Sequence, residues 1–291
     1  MEKIEYEEKG QLYSGHVACA GCAEALSLRV VLNTVGQDAV GVVAPSCLAV
    51  ICGAHPTSSV KIPVFHTTIE SCAATASGVK RALDKQGKSE TTVIGLAGDG
   101  GTYDIGLQSL SSAAERNEDI LYVCFDNEGY MNTGGQKSSS TPEKAVTGST
   151  PAGKTTRKKN MIDILAAHRI PYIATASPSH INDMVAKVEK AKAIRGTKVL
   201  VILVPCLPGW GIGDNAMVKT SRLAVESGVF PLFEVEDGTR YIMNHTTKTQ
   251  PVAEYVKLQK RYKHLTEDDI AGLQAEVDYD WDRLHRRVAQ N

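Results

Sequence analysis

Short runs rich in Val and Ile recur along this chain at 40–44, 60–66, 92–97, 120–125, 172–175 and 198–204. Between them lie segments of helical periodicity, roughly 22–34, 71–85, 103–116 and 179–194. Strand and helix patterns in alternation are what a parallel α/β sheet requires, because each parallel connection must cross a sheet face. Near-continuous apolar strands further imply that helices cover both faces. The expected fold is therefore α/β, a mostly parallel sheet with helices on both faces. A chain of 291 residues is long enough to bury a large core of this kind.

Two long connections interrupt the alternation. Residues 138–159 are rich in Ser, Thr, Gly, Pro and Lys and read as an ordered surface loop or a lid. A second Gly-containing loop spans 208–220. Beyond 230 the pattern changes to a hairpin near 233–243 and a charged helical tail from 251. That tail reads equally as an arm for a partner and as an ordinary solvated helix. The expected organisation is an α/β domain over 1–235 and a C-terminal helical extension over 236–291, contacting another subunit.

Lys and Arg total 32 against 33 Asp and Glu, so nothing recommends nucleic acid or an anionic membrane as partner. The strongest apolar run, 199–204, is strand-sized and too short to span a bilayer. Residues 1–10 are charged and carry no apolar signal core. A cytoplasmic location is expected. Seven cysteines in a reducing compartment are poor disulfide candidates and point to metal binding or plain burial.

Gly98-Asp99-Gly100 follows one strand pattern and precedes a helical one. Glycines there let the backbone approach a phosphate, and the helix start offers free N–H groups. Tyr103 stands where a dinucleotide fingerprint needs Gly, which argues against nicotinamide. The next strand ends in Asp126-Asn127-Glu128-Gly129. Loops at the carboxyl ends of neighbouring parallel strands share a crevice, so Asp99, Asn127 and the Gly129 carbonyl can grip one Mg²⁺. Gly-Asp-Gly, a 26-residue spacer and an amide side chain resemble the thiamine diphosphate motif.

Cys19 and Cys22 form a tight pair at a helix start, Cys47 follows in a short loop, and Cys206 ends the 198–204 run. Four thiolates suit either tetrahedral Zn²⁺ or an iron–sulfur cluster. One tight pair with two remote singles leans towards a cluster, because structural zinc sites more often use two tight pairs. Cys52, Cys72 and Cys124 read as packing residues. The run 154–159 reads as a solvated charged face, with the phosphate of coenzyme A or an acidic partner surface as alternatives.

With these residues assembled, the chain resembles the β subunit of the 2-oxoacid:ferredoxin oxidoreductases, in particular the pyruvate synthase branch. The segments that carry the resemblance are Gly15 to Cys22, Gly98 to Gly106, and Asp126-Asn127-Glu128-Gly129-Tyr130-Met131-Asn132-Thr133-Gly134-Gly135-Gln136. It runs from about 15 to 265. The resemblance implies that Cys19, Cys22, Cys47 and Cys206 ligate one [4Fe–4S] cluster close to thiamine diphosphate. It implies that Asp99, Asn127 and the Gly129 carbonyl hold Mg²⁺, that Gly98, Gly100, Met131 and Cys47 contact the cofactor, and that Asn132 lies near the thiazolium and the substrate. Glu24 falls at an acidic position of the family site. His16 and His66 sit beside site segments.

The same resemblance implies electrons passed from a small 2-oxoacid to ferredoxin, with coenzyme A accepting the acyl group, or the reverse synthesis. It also implies partner subunits: one to bring the pyrimidine-binding domain, another resembling a ferredoxin. The segment Phe65-His66-Thr67-Thr68-Ile69-Glu70-Ser71 departs from the pattern of many relatives, which leaves the 2-oxoacid open among pyruvate, a branched-chain 2-oxoacid and oxalate. A non-redox thiamine enzyme and a scaffold subunit, each with structural zinc, are the competing classes.

Overall fold

The structure, a computed structural model, describes residues 10–290. The charged segment before them, with its expected lack of a leader, lies outside the described residues. Eight strands form one sheet: β1 (Ala39–Val43), β2 (Val64–His66), β3 (Thr92–Gly98), β4 (Leu121–Asp126), β5 (Tyr172–Ala176), β6 (Lys198–Leu203), β7 (Phe233–Glu236) and β8 (Arg240–Met243). Their order is β2-β1-β3-β4-β6-β5-β7-β8. The first six are mutually parallel, and β7 and β8 are antiparallel additions at one edge.

β4 and β6 sit mid-sheet and are buried at every position, which explains why their sequences show no polar alternation. Helix α1 (Ala23–Val35) packs against α6 (Ile181–Ala193), and α3 (Cys72–Lys85) against α4 (Leu107–Glu115). Right-handed crossovers put these two pairs on opposite faces of the sheet. Among the described residues no helix is long and apolar enough to cross a membrane.

The expected strand at 60–66 shortens to Val64–His66, because Pro63 has no N–H for the ladder. The expected helix at 103–116 begins later: Gly100–Asp104 widen into a π-helical turn, and α4 follows. Cys47 is not in a loop. It opens the short helix α2 (Cys47–Cys52), whose N-cap Ser46 accepts from Leu48 N–H at 3.2 Å. Three further helices escape the pattern: α5 (Met161–Ala167), α7 (Leu207–Trp210) and α8 (Met217–Glu226).

The hairpin near 233–243 is β7–β8, and it continues the main sheet through β5. The boundary expected between 235 and 236 thus falls inside β7. After α9 (Val252–Val256), the long helix α10 (Glu267–Val288) starts with a Thr266/Asp269 capping box. It lies back on its own sheet: Trp281 and Leu284 are buried, and Arg283 and Arg287 both reach Asp163 of α5.

Candidate active site

Four neighbouring strands, β1, β3, β4 and β6, deliver their carboxyl ends to one rim. Past them lie Ser46-Cys47, Gly98-Asp99-Gly100, Asn127 and Cys206 in that spatial order. The N-terminus of α1 brings Cys22 and Glu24 to the same rim. Two cavities open there, one of about 820 Å³ over the Gly98–Gly101 turn and one of about 520 Å³ lined by Cys19, Cys22, Cys47 and Cys206. Cys47, Val50, Asn127 and Asn132 line both and so form the wall between them.

In the first cavity Asp99 is 1% exposed. Its Oδ2 accepts from the Ser138 hydroxyl. Burial, then the charge of Asp126, pushes its carboxyl well above the usual carboxylate range. The Asn127 amide fits its place in either of two orientations, since its two ends have nearly the same shape. In one, its nitrogen donates to Gly129 O at 2.7 Å and to Asp99 Oδ1 at 3.0 Å. In the other, that nitrogen donates instead to Glu24 Oε2 at 3.4 Å, and the amide oxygen faces the same two oxygens. Three acceptors then meet with no hydrogen between them, which a cation relieves. Oxygens at adjacent corners of an octahedron about 2.1 Å from its centre stand roughly 3 Å apart, so the trio fits Mg²⁺. Among the described residues no three His, Cys, Asp or Glu side chains group to hold a metal ion. Mg²⁺ does not need such a group, since it takes few protein oxygens and keeps phosphate and water.

Gly100 has a second reason beside the phosphate approach expected of it. A Cβ there would overlap the ring of Tyr130, whose hydroxyl donates to Asp104 Oδ2 at 2.8 Å. The glycine admits the tyrosine, which ties the Asn127 loop to the Asp99 turn.

The second cavity fits a cluster better than a single ion. Zinc needs four sulfurs about 2.3 Å from one point, whereas here the thiols ring a cavity and form no such group. Gly21 has φ +76°, and a Cβ would collide with the Asp214 carbonyl; this lets the Cys19–Cys22 turn press against the loop after Cys206. Backbone N–H groups serve the sulfurs, those of Ala25 and Glu24 at Cys22 and that of Gly209 at Cys206. Burial still pushes the Cys22, Cys206 and Cys47 thiols up, Cys206 to about 11 and Cys47 further, the latter also raised by Glu24 and the neighbouring thiols. Soft-metal binding here must displace protons, as coordinating thiols are deprotonated outright. At the wall, the Cys47 thiol donates to Asn132 Oδ1 at 3.4 Å.

The 138–159 loop is ordered and reaches the surface in its middle, around 148–152, while its ends pack under the site. In the 154–159 run Thr155, Thr156 and Arg157 are exposed, as a solvated face requires, but the lysines turn inward. Ser138, Ser140 and Thr141 are buried beneath the site. Ser140 donates to Asp126 Oδ1 at 2.6 Å, and Lys158 to Asp126 Oδ2 at 2.7 Å and Glu128 Oε1 at 2.9 Å. Lys154 is buried on Thr141 O, and Lys159 reaches Tyr103 O. Burial alone would make this acidic floor untenable, and among these lysines Lys158 supplies its counter-charge. On the far side Arg261 meets Glu128 at 2.6 Å and stacks 3.8 Å from the Trp210 ring centroid. Trp210 Nε1 in turn donates to the Asn127 carbonyl at 2.8 Å. Arg261→Met is expected to destabilise the protein by about 3 kcal/mol, the low end for a broken buried pair because Lys158 still serves Glu128. Denaturant midpoints of the single variant, and of its double with Glu128→Gln, would check this; the double should recover part of the loss.

His66 Nε2 contacts Gly53 O at 3.0 Å and so fastens the end of α2. His16 Nδ1 is buried without a hydrogen-bond partner beside the thiol cavity. Tyr130 lies in the segment that carries the resemblance, whereas Ser138, Trp210 and Arg261 had no separate signal in the sequence, apart from the flagged loop and the proximity of Trp210 to Cys206.

Glu24 is 3% exposed, and one of its oxygens, Oε1, is without a partner. Burial raises its carboxyl to about 7 against the Asn127 bond. The folded form therefore holds its proton where the unfolded chain, near 4.5, has lost it. This contribution to stability is complete below about 4.5 and is lost as pH rises through about 7. Over that window it amounts to roughly 3 kcal/mol. Glu24→Gln should flatten the fall of melting temperature between pH 5 and 8; an unchanged slope would remove Glu24 from the account.

The fold and rim define a thiamine diphosphate-binding α/β domain that carries a thiol cavity beside its Gly98-Asp99-Gly100 turn. A model of the thiamine pyrophosphate enzyme C-terminal TPP-binding domain matches residues 46–202. The pyruvate synthase subunit PorB of Methanocaldococcus jannaschii is 47% identical, covering 96% of this chain and 97% of the relative. The ketoisovalerate oxidoreductase subunit VorB of Pyrococcus furiosus is 42% identical, covering 97% and 94%. A 2-oxoglutarate:ferredoxin oxidoreductase from Magnetococcus marinus shares the fold, with TM-score 0.61, 21% identity and 73% and 72% of the two chains covered. The chain belongs to the 2-oxoacid:ferredoxin oxidoreductases, as the thiamine diphosphate-binding β subunit of that enzyme class.

Proposed function

We propose that this subunit oxidatively decarboxylates pyruvate within a cytoplasmic heteromeric complex, or runs the reverse synthesis, with coenzyme A and ferredoxin as co-substrates. Asp99, Asn127 and the Gly129 carbonyl would hold Mg²⁺, and Cys19, Cys22, Cys47 and Cys206 a [4Fe–4S] cluster. Gly98, Gly100 and Met131 would line the cofactor. The observation that carries the reading is the shared wall: Cys47, Asn127 and Asn132 face both cavities. Bound there, thiamine diphosphate would supply an electron sink for decarboxylation and the cluster a one-electron acceptor.

The chain's own residues orient and insulate. Tyr130 and Trp210 fix the Asn127 loop, Ser138 fixes Asp99, and apolar Val50 limits water at the wall. Asn132 is the polar group available to orient the 2-oxoacid, and Glu24, half-titrated near pH 7, is available to hold or release a proton beside Asn127. A pyrimidine-binding subunit and a ferredoxin-like subunit would complete the assembly.

Pyruvate is favoured by the PorB relatives; the VorB relative, almost as similar, supports a branched-chain 2-oxoacid as second reading. The test is an anaerobic assay of the co-purified complex with coenzyme A and ferredoxin on pyruvate, 3-methyl-2-oxobutanoate and oxalate. Pyruvate should give the highest kcat/KM. A preference for the branched acid would replace the substrate. A complex without broad absorption near ~400 nm that dithionite bleaches would remove the cluster.

A further inference from the structure

We infer that the Asn132 amide is a hydrogen-bond donor to the Cys47 sulfur and so sets the reduction potential of the centre held by the four thiols. The inference rests on the cluster assignment proposed above and concerns what this chain's own side chain does to it. In the structure the pair is a thiol donating to Asn132 Oδ1 at 3.4 Å. A ligating Cys47 has no proton to give. The two ends of an amide are nearly isosteric, so rotation by half a turn presents N–H to the thiolate in the same place.

The position distinguishes Cys47 from its neighbours. Cys22 and Cys206 have backbone N–H groups at their sulfurs, which no substitution removes. At Cys47 the hydrogen-bond partner is a side chain, and it stands in the wall common to both cavities. Apolar Val50 lines the same wall, and Glu24 nearby adds negative charge that disfavours a thiolate. A donor aimed at a thiolate stabilises the more negative, reduced state more than the oxidised one, and so raises the potential. Asn132 is then a positioning and tuning residue for electron transfer as well as part of the substrate pocket.

The experiment is a redox titration of the whole complex, purified anaerobically, with the relevant centre identified as the signal lost in Cys47→Ser. Asn132→Leu removes the donor, and Asn132→Asp keeps the shape but substitutes a charge. The expected order of midpoints is wild type, then Leu, then Asp. The Leu variant should fall by about 59 mV, a tenfold change in the one-electron equilibrium. Electron–nuclear double resonance in ²H₂O should also lose an exchangeable coupling in both variants. Equal midpoints with the centre retained would overturn the inference, as would loss of the centre from both variants, which would make the role structural. A wild-type complex with no signal dependent on Cys47 would overturn the underlying cluster assignment first.

Discussion

Asp99→Ala is expected to strip Mg²⁺ and thiamine diphosphate from the purified complex and to lower turnover by about 100-fold or more, since even partners one layer out from a metal typically cost 10–100-fold. Asp99 is the only carboxylate of the oxygen trio, and its 1% exposure leaves water no means of replacing it. Metal and cofactor content, measured on the complex after gel filtration, checks the first claim directly. Asp99→Asn divides the effect: it keeps the shape at Ser138 and Asn127 but removes the charge. Retention of both cofactors by the Asn variant would show that packing, not charge, holds them. The raised affinity of Asp99 for a proton adds a pH dependence. A dication must displace that proton, so retention should weaken as the pH is lowered.

The floor under Asp99 explains why so charged a site is tolerable inside the sheet. Asp99, Asp126 and Glu128 are all buried. Lys158 and Arg261 neutralise the lower two, and both come from segments beyond β4. The Asp99 carboxylate is then left for the proposed Mg²⁺ to balance. The loop from 138 to 159 and the stretch around Arg261 are in this sense parts of the cofactor site, although neither lines the cavity over the Asp99 turn.

Much of this was legible in the residues. The strands were readable because a sheet covered on both faces needs near-continuous apolar runs, and β4 and β6, buried at every position, are mostly apolar between Leu121 and Phe125 and between Val199 and Leu203. Asp99 and Asn127 were readable because two turns at neighbouring carboxyl ends share a crevice. What escaped lies in two classes. Helices α2 and α7 are six and four residues long, too short for a 3.6-residue period to register. Contacts between distant residues leave no local trace: Ser138 to Asp99 spans 39 positions, Trp210 to Asn127 83, and Arg261 to Glu128 133. Ser, Thr and Lys in 138–159 have the same composition whether they face solvent or buried acids, so the loop looked exposed.

Cys47→Ser is expected to abolish ferredoxin reduction while leaving the complex assembled and its thiamine diphosphate bound. Cys47 lines the cofactor cavity too, but serine keeps that wall in place, and Asp99, Asn127 and Gly129 keep theirs through Ser138, Tyr130 and Trp210. The thiol cavity does depend on it, because serine is a hard, weakly acidic ligand where a soft thiolate is required. Absorption near ~400 nm should fall by the share of one centre, with the remaining centres in partner subunits unchanged. Decarboxylation without electron transfer, followed as CO₂ release in the absence of ferredoxin, should survive at a low rate. Wild-type ferredoxin reduction in an intact, anaerobically purified variant would mean that electrons leave by a route avoiding this wall, and the thiol cavity would then need another purpose, such as a structural ion.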